Sequence, residues 1–113
     1  MHELYATQAI LDRAVNKAGE QNATSITALH LVVGEMSSYS EDSVRFYWEE
    51  ISKGTIAEHA ALHFRRVPSE VQCMACFTKY HPEEGEILCP NCGSNGAKIL
   101  QGEEFYMEAL DVD

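Results

Sequence analysis

Four cysteines form two closely spaced pairs in the second half of the chain. The pairs are Cys73–Cys76 and Cys89–Cys92, with twelve residues between them. Two C-x2-C turns at this spacing can present four thiolates to one tetrahedral ion. A structural Zn²⁺ site contributes on the order of 10–16 kcal/mol to the folding of a small module, whereas a disulfide contributes about 2–4 kcal/mol. We therefore predict a closed, structural zinc site with the ligands Cys73, Cys76, Cys89 and Cys92.

Two disulfides or a redox dithiol are the alternative interpretations of these cysteines. No βαβ pattern surrounds either pair, which counts against the redox dithiol. Glycine is frequent directly after such a pair, and Gly93 fits this pattern whereas Phe77 does not. The backbone conformation of the first turn is therefore left open, but the prediction that the four cysteines bind a metal stands.

One histidine lies close to the cysteines in sequence. His81 follows Cys76 by five residues. It is a candidate auxiliary metal residue, either as an alternative ligand or as a bridge between two metals. A lone exposed histidine in a loop is the more usual outcome, so both interpretations stay open.

The second candidate site is the start of the chain, Met1-His2-Glu3. The α-amine, the backbone nitrogen of His2 and its imidazole Nδ1 can close fused chelate rings around one ion. The Glu3 nitrogen or another side chain would take the fourth position. Such coplanar nitrogen donors suit square-planar Ni²⁺ or Cu²⁺ and disfavour zinc, which prefers a tetrahedron. A chance histidine at position 2 is the competing interpretation.

The charge balance bears on the classes of partner. The chain carries 8 Lys and Arg against 18 Asp and Glu, a formal net charge of −10. This charge repels the nucleic-acid backbone and anionic membrane surfaces, so we predict neither a nucleic-acid partner nor membrane binding. The N-terminus lacks the features of a signal peptide, and no run of about 18 apolar residues occurs. We therefore expect a cytoplasmic protein, in which clustered cysteines favour metal over disulfides.

Two helices and three strands must position these sites. Apolar periodicity predicts a helix from about Glu3 to Ala18 and a second helix that begins after the N-cap Ser40 and stops at Gly54. Alternating or continuously apolar segments predict strands at Ile26 to Gly34, Leu62 to Val67 and Glu104 to Val112. The predicted fold class is α+β, with two helices on a small three-stranded sheet and an inserted four-cysteine, zinc-ribbon-like module.

The chain is predicted to form two domains. Residues 1–69 plus 98–113 would form the α+β domain that carries the N-terminal site, and residues 70–97 would form the zinc-binding domain. No serine or cysteine is placed beside a base, and no glycine-rich phosphate loop is present, so we predict no enzymatic activity. Exchange of the last strand between two chains would give a homodimer, although the residues do not require one.

Several short motifs along the chain together resemble one known family. They are Met1-His2-Glu3 opening an amphipathic helix, Val33-Gly34-Glu35 at a strand end, Leu62-x-Phe64-x-x-Val67-Pro68 leading into the cysteine pairs, and Gly102-x-Glu104 before the last strand. In this order they resemble the hydrogenase nickel-incorporation proteins (HypA/HybF), over essentially the whole chain.

The resemblance implies a metallochaperone with Ni(II) as its cargo and a structural Zn(II). It implies that Met1, His2 and Glu3 bind the nickel. It also implies a partner GTPase of the same maturation pathway, of the HypB type, and delivery to the large-subunit precursor of a [NiFe]-hydrogenase. The alternative from a different class is a zinc-stapled adaptor that binds another protein and has an inert N-terminus.

Overall fold

The computed structural model describes residues 2–83 and 87–113. In chain order its elements are α1 (His2–Glu20), β1 (Ile26–Gly34), α2 (Glu41–Ile51), β2 (Ala61–Val67), β3 (Glu70–Cys73), β4 (Lys79–Tyr80), β5 (Ala97–Gln101) and β6 (Phe105–Val112). They form two three-stranded sheets, which we call the first sheet (β2-β1-β6) and the second sheet (β4-β3-β5). No helix in the described part of the chain combines the length and apolarity needed to cross a membrane.

The first sheet is mixed. Its central strand β1 pairs in parallel with β2, so that Leu29 lies opposite Leu62, and antiparallel with β6, so that Leu29 also lies opposite Leu110. The parallel pair needs a crossover connection, which α2 supplies. Because β1 has a neighbour on each side, seven of its nine residues are buried.

Both helices cover one face of the first sheet. The helix faces and the sheet share one hydrophobic core, whose buried members include Leu11, Ala14, Leu29, Val44 and Trp48. At the start of α2, the Ser40 side chain accepts a hydrogen bond from the Ser43 backbone N–H at 3.1 Å. This cap satisfies one of the free N–H groups of the first turn. The predicted fold of two helices on a three-stranded sheet and the predicted N-cap are confirmed.

The second sheet contains the cysteine segment and is entirely antiparallel. In it β3 pairs with both β4 and β5, and Cys73 lies opposite Ala97. Residues 98–101 therefore belong to the second sheet, although we expected them in the first domain. All five residues of β5 are exposed or half-buried. Because β5 has no apolar face, its sequence does not indicate its partner strand. Its place in the second sheet rests on its hydrogen bonds to β3.

The two sheets are joined by two short crossings, residues 67–70 and 101–105. At this junction Gly34 lies against Gly102 so closely that a Cβ on Gly34 would overlap the Gly102 carbonyl group. The Gly34 N–H donates to the Glu104 carbonyl at 2.8 Å, and the Met36 N–H donates to the Gly102 carbonyl at 2.7 Å. The radius of gyration is 17.6 Å, against about 13 Å for a compact domain of this length. The sheets therefore lie end to end, with the junction between them.

Candidate metal sites

The four cysteine sulfurs converge at one end of the second sheet. All four Sγ atoms lie within 4.8 Å of one another, with 3.5 Å between Cys73 and Cys92 and 3.6 Å between Cys76 and Cys89. Sulfurs bound at about 2.3 Å to one tetrahedral ion lie about 3.8 Å apart, whereas a disulfide requires about 2.05 Å. All four cysteines are free. The arrangement fits a single ion bound by four thiolates and does not fit disulfides.

Backbone N–H groups point at the sulfurs in the same way in both turns. The N–H of Ala75 donates to Cys73 Sγ, and the N–H of Asn91 donates to Cys89 Sγ, each at 3.4 Å. The Asn91 side-chain amide also donates to Cys76 Sγ at 3.5 Å. Such donors stabilise negative charge on sulfur, which is the form that binds metal.

The two turns also share their backbone conformation. The N–H of Phe77 donates to the Cys73 carbonyl at 2.8 Å, and the N–H of Gly93 donates to the Cys89 carbonyl at 2.9 Å. Phe77 has φ 63° and Gly93 has φ 76°. A left-handed conformation costs a non-glycine residue about 1–2 kcal/mol. The shape of the first turn, which the sequence left open, is thus the same as that of the second, and Phe77 adopts it despite this cost.

The thiols of the quartet differ in acidity because their hydrogen bonds differ. The Asn91 side chain, followed by the side chain and backbone of Thr78, lowers the pKa of Cys76 to about 5. The pKa of Cys92 is raised to about 12, because the lowering by the Ser94 backbone N–H, the largest single effect, is outweighed by the neighbouring thiols and by burial. Four thiolates this close repel one another, so all four cysteines are deprotonated together only when a cation balances their charge.

The N-terminal site begins α1. Met1 lies outside the described residues, and His2 is the first residue of the helix, with an exposed side chain. The first N–H groups of a helix have no intrahelical acceptor, so the backbone nitrogens of His2 and Glu3 lie outside the hydrogen-bond ladder. The Glu3 carbonyl accepts a 2.6 Å hydrogen bond from Thr7 Oγ1. The backbone nitrogens of His2 and Glu3 therefore lie in the first turn of α1, with no acceptor inside the helix.

A tyrosine far from the N-terminus in sequence contacts His2. The Tyr39 hydroxyl lies 3.3 Å from His2 Nδ1, and the two ring centroids are 5.3 Å apart. Tyr39 itself stacks on Phe105 of β6 at 4.6 Å. The contact spans 37 positions of sequence, and no local pattern marks a residue that acts across such a distance. Tyr39 therefore places an O–H group at the nitrogen that a nickel ion would need.

His81 lies at the junction between the sheets. Its Nδ1 is 2.6 Å from the Ser69 carbonyl oxygen. Within residues 2–83 and 87–113, the cluster able to hold a metal consists of the four cysteines and does not include His81. An auxiliary metal role for His81 stays a prediction.

Three comparisons relate the chain to known proteins. A family model described as "Hydrogenase/urease nickel incorporation, metallochaperone, hypA" matches residues 1–112. The hydrogenase maturation factor HypA of Dehalococcoides mccartyi (strain ATCC BAA-2266) is 36% identical over 113 residues, which cover 100% of this chain and 95% of that protein. The factor of the same name from Caldanaerobacter subterraneus subsp. tengcongensis is 33% identical over 114 residues, which cover 100% of both chains.

Two solved structures have the same fold. One is the solution structure of the Ni metallochaperone HypA from Helicobacter pylori, with a TM-score of 0.69 and 20% identity over 97% of this chain and 96% of that chain. The other is a solution structure of HypA protein, with a TM-score of 0.74 and 21% identity over 99% and 96%. At these identities the likeness concerns the arrangement of helices and strands.

Proposed function

The chain belongs to the HypA family of hydrogenase and urease nickel-incorporation metallochaperones, and from this premise we propose that it binds Ni²⁺ at its N-terminus and delivers it during maturation of a [NiFe]-hydrogenase. The observation that carries the proposal is the exposed His2 at the free end of α1. The donors are the amine of Met1, the backbone nitrogens of His2 and Glu3, and His2 Nδ1. Their planar nitrogen geometry selects Ni²⁺ or Cu²⁺ over zinc.

The cysteine quartet has a different role in this proposal. It holds a structural Zn²⁺, since its four sulfurs fill a tetrahedron and leave no position for exchange. We place the boundary between the two domains at the junction, so that residues 70–101 form the zinc-binding domain. Residues 1–69 and 102–113 form the nickel-binding domain. The two ions are thus bound at separate places by chemically different donors, which keeps each in its own site.

Delivery requires that the nickel site exchange its ion. A chain terminus suits this task, because it opens locally at little cost. The recipients we propose are a HypB-type maturation GTPase and the large-subunit precursor of the hydrogenase. We place the exchange in the cytoplasm, where free thiols such as those of the quartet persist. The chain acts as a carrier and not as an enzyme.

Replacing His2 tests the nickel site. The His2→Ala variant should bind one Ni²⁺ per chain fewer than the natural protein, because it loses the imidazole that closes the second chelate ring. It should keep its zinc and its fold, since the His2 side chain is exposed. Calorimetric titration of untagged protein measures the nickel, and elemental analysis measures the zinc. Nickel affinity should also rise with pH, because the amine and any ligating amide must release protons.

The control for this measurement is His59→Ala, which removes another exposed histidine from a turn distant in sequence from both proposed sites. In cells that lack this gene, the natural protein and the control should restore hydrogenase activity, and His2→Ala should not. Equal nickel uptake by the natural protein and His2→Ala would refute the N-terminal site and leave the zinc-stapled adaptor as the function.

Tyr39 offers a finer test of the same site. Tyr39→Phe removes the hydroxyl that lies within hydrogen-bonding distance of His2 Nδ1, and it keeps the ring that stacks on Phe105. Nickel must displace this hydroxyl, and a neutral hydrogen bond is worth about 0.5–1.5 kcal/mol, so binding should tighten about two- to tenfold. Calorimetry on both proteins measures the change. An affinity that is unchanged or weaker would show that the hydroxyl does not compete with the ion.

A further inference from the structure

The face of the first sheet opposite the helices carries two histidines side by side. His30 of the central strand β1 lies in register with His63 of β2. Their rings are stacked, with centroids 5.1 Å apart and an angle of 19° between the ring planes. In the parallel pair the two side chains leave the sheet in the same direction, so their Cβ atoms are neighbours on one face and the two imidazoles can reach one ion.

A carboxylate from the third strand completes the group. Asp111 of β6 has Oδ2 at 3.0 Å from His30 Nε2. Two donors that each lie about 2.1 Å from one metal ion, at the angles of a tetrahedron or octahedron, are about 3.0–3.4 Å apart. The spacing of His30 and Asp111 thus already equals one edge of a coordination polyhedron.

We propose that His30, His63 and Asp111 form a second binding site for a divalent transition-metal ion. Two imidazoles and one carboxylate suit Ni²⁺, Co²⁺, Cu²⁺ and Zn²⁺, and they disfavour Mg²⁺ and Ca²⁺, which take oxygen ligands. Three protein ligands leave positions for water, so the ion exchanges readily.

The site requires one local adjustment. In the described residues only the cysteine quartet has the ligand atoms of three groups within 4.8 Å. The His63 ring must therefore turn to bring a nitrogen toward His30 and Asp111. His63 is exposed, so this rotation has to give up the stacking on His30 but displaces no buried side chain. His30 is held between two strands and needs no such movement.

The surrounding charges permit a cation here. The nearest cationic side chain along β2 is Arg65, whose guanidinium is paired with both carboxylate oxygens of Glu108 at 2.9 and 3.1 Å. This pairing neutralises Arg65, and the pKa of Glu108 is lowered by its hydrogen bond to Arg65. The formal net charge of −10 further favours the approach of a divalent ion.

The site is independent of the proposed nickel site and of the cysteine quartet. His2 belongs to α1, which packs on the opposite face of the first sheet, and the quartet belongs to the second sheet. An ion bound by His30 and His63 therefore shares no ligand with either. The failure of one site leaves the other unaffected.

The test uses the zinc-loaded full chain carrying His2→Ala, so that the N-terminal site does not contribute. Calorimetry with Ni²⁺ should detect one ion per chain, and Co²⁺ should give an absorption spectrum of nitrogen and oxygen ligands. Adding His63→Asn or Asp111→Asn should weaken binding by at least about tenfold. The paramagnetic Co²⁺ should also broaden the ring signals of His30 and His63 in NMR spectra.

The matched control is His59→Asn in the same background, which removes an exposed histidine outside the trio and should leave the affinity unchanged. His63 and Asp111 are exposed, and a preserved melting temperature and zinc content verify the fold of each variant. Absence of Ni²⁺ uptake by the His2→Ala protein would overturn the proposal, and so would uptake that His63→Asn leaves unchanged.

Discussion

Removal of the metal from the cysteine quartet is expected to unfold the second sheet and to leave the first sheet folded. Among the described residues of the second sheet and its turns, the buried apolar side chains are Val71, Cys73 and Cys89. Such a small set cannot offset the conformational entropy of about thirty ordered residues. A structural zinc site contributes on the order of 10–16 kcal/mol, which is enough to hold such a module. The metal therefore takes the place of a hydrophobic core.

The measurement is amide NMR of the zinc-loaded protein before and after addition of a strong chelator. Signals of residues 70–101 should collapse to the narrow range of an unfolded chain, and those of α1 and β1 should stay dispersed. The variant Cys73→Ser should show the same collapse without chelator, because it removes a buried ligand. The control is Met74→Ser in the same turn, whose side chain is 54% exposed and holds no ion. Dispersed signals of residues 70–101 after complete zinc removal would contradict this expectation.

The elements that sequence could predict are those with strong local signals. The strand Ile26 to Gly34 is bounded as expected, because it is rich in apolar and β-branched residues and seven of its nine residues are buried. The start of α2 follows from Ser40 and the acids after it, which cap and complement the helix N-terminus. The convergence of the four cysteines follows from spacing, because each pair forms its own turn and the two turns share one ion.

The features that sequence could not predict are contacts between distant segments. The pairing of β5 with β3 is not visible as an apolar pattern in the sequence of β5, since that strand is mostly exposed. The Tyr39 hydroxyl reaches His2 only because the loop before α2 returns to the start of α1. His30 and His63 become neighbours through the register of a parallel pair, and a shift of one residue would place them on opposite faces. These contacts arise only when distant segments come together in the fold, and no residue type or spacing near each position marks them in the sequence.

Gly34→Ala is expected to destabilise the protein by about 3–5 kcal/mol, a large fraction of the stability of a small domain. The added methyl group would overlap the backbone carbonyl of Gly102, and no side-chain rotation can relieve a clash between a Cβ and a backbone. The strand ends must separate, which breaks the hydrogen bonds from Gly34 to Glu104 and from Met36 to Gly102. The melting temperature should fall by more than about 10 °C.

The control for this substitution is Gly19→Ala. Gly19 lies near the end of α1, and a Cβ there would meet no atom within 4 Å. Because alanine loses less conformational freedom than glycine on entering a helix, this variant should be more stable by about 0.5–1 kcal/mol. The same chemical change should thus have opposite effects at the two positions, as measured by thermal unfolding of the zinc-loaded proteins. If both variants melted at the same temperature, the junction would not be closely packed at Gly34. Hydrogen exchange at the Met36 amide identifies the cause, since protection should be lost in Gly34→Ala and kept in Gly19→Ala.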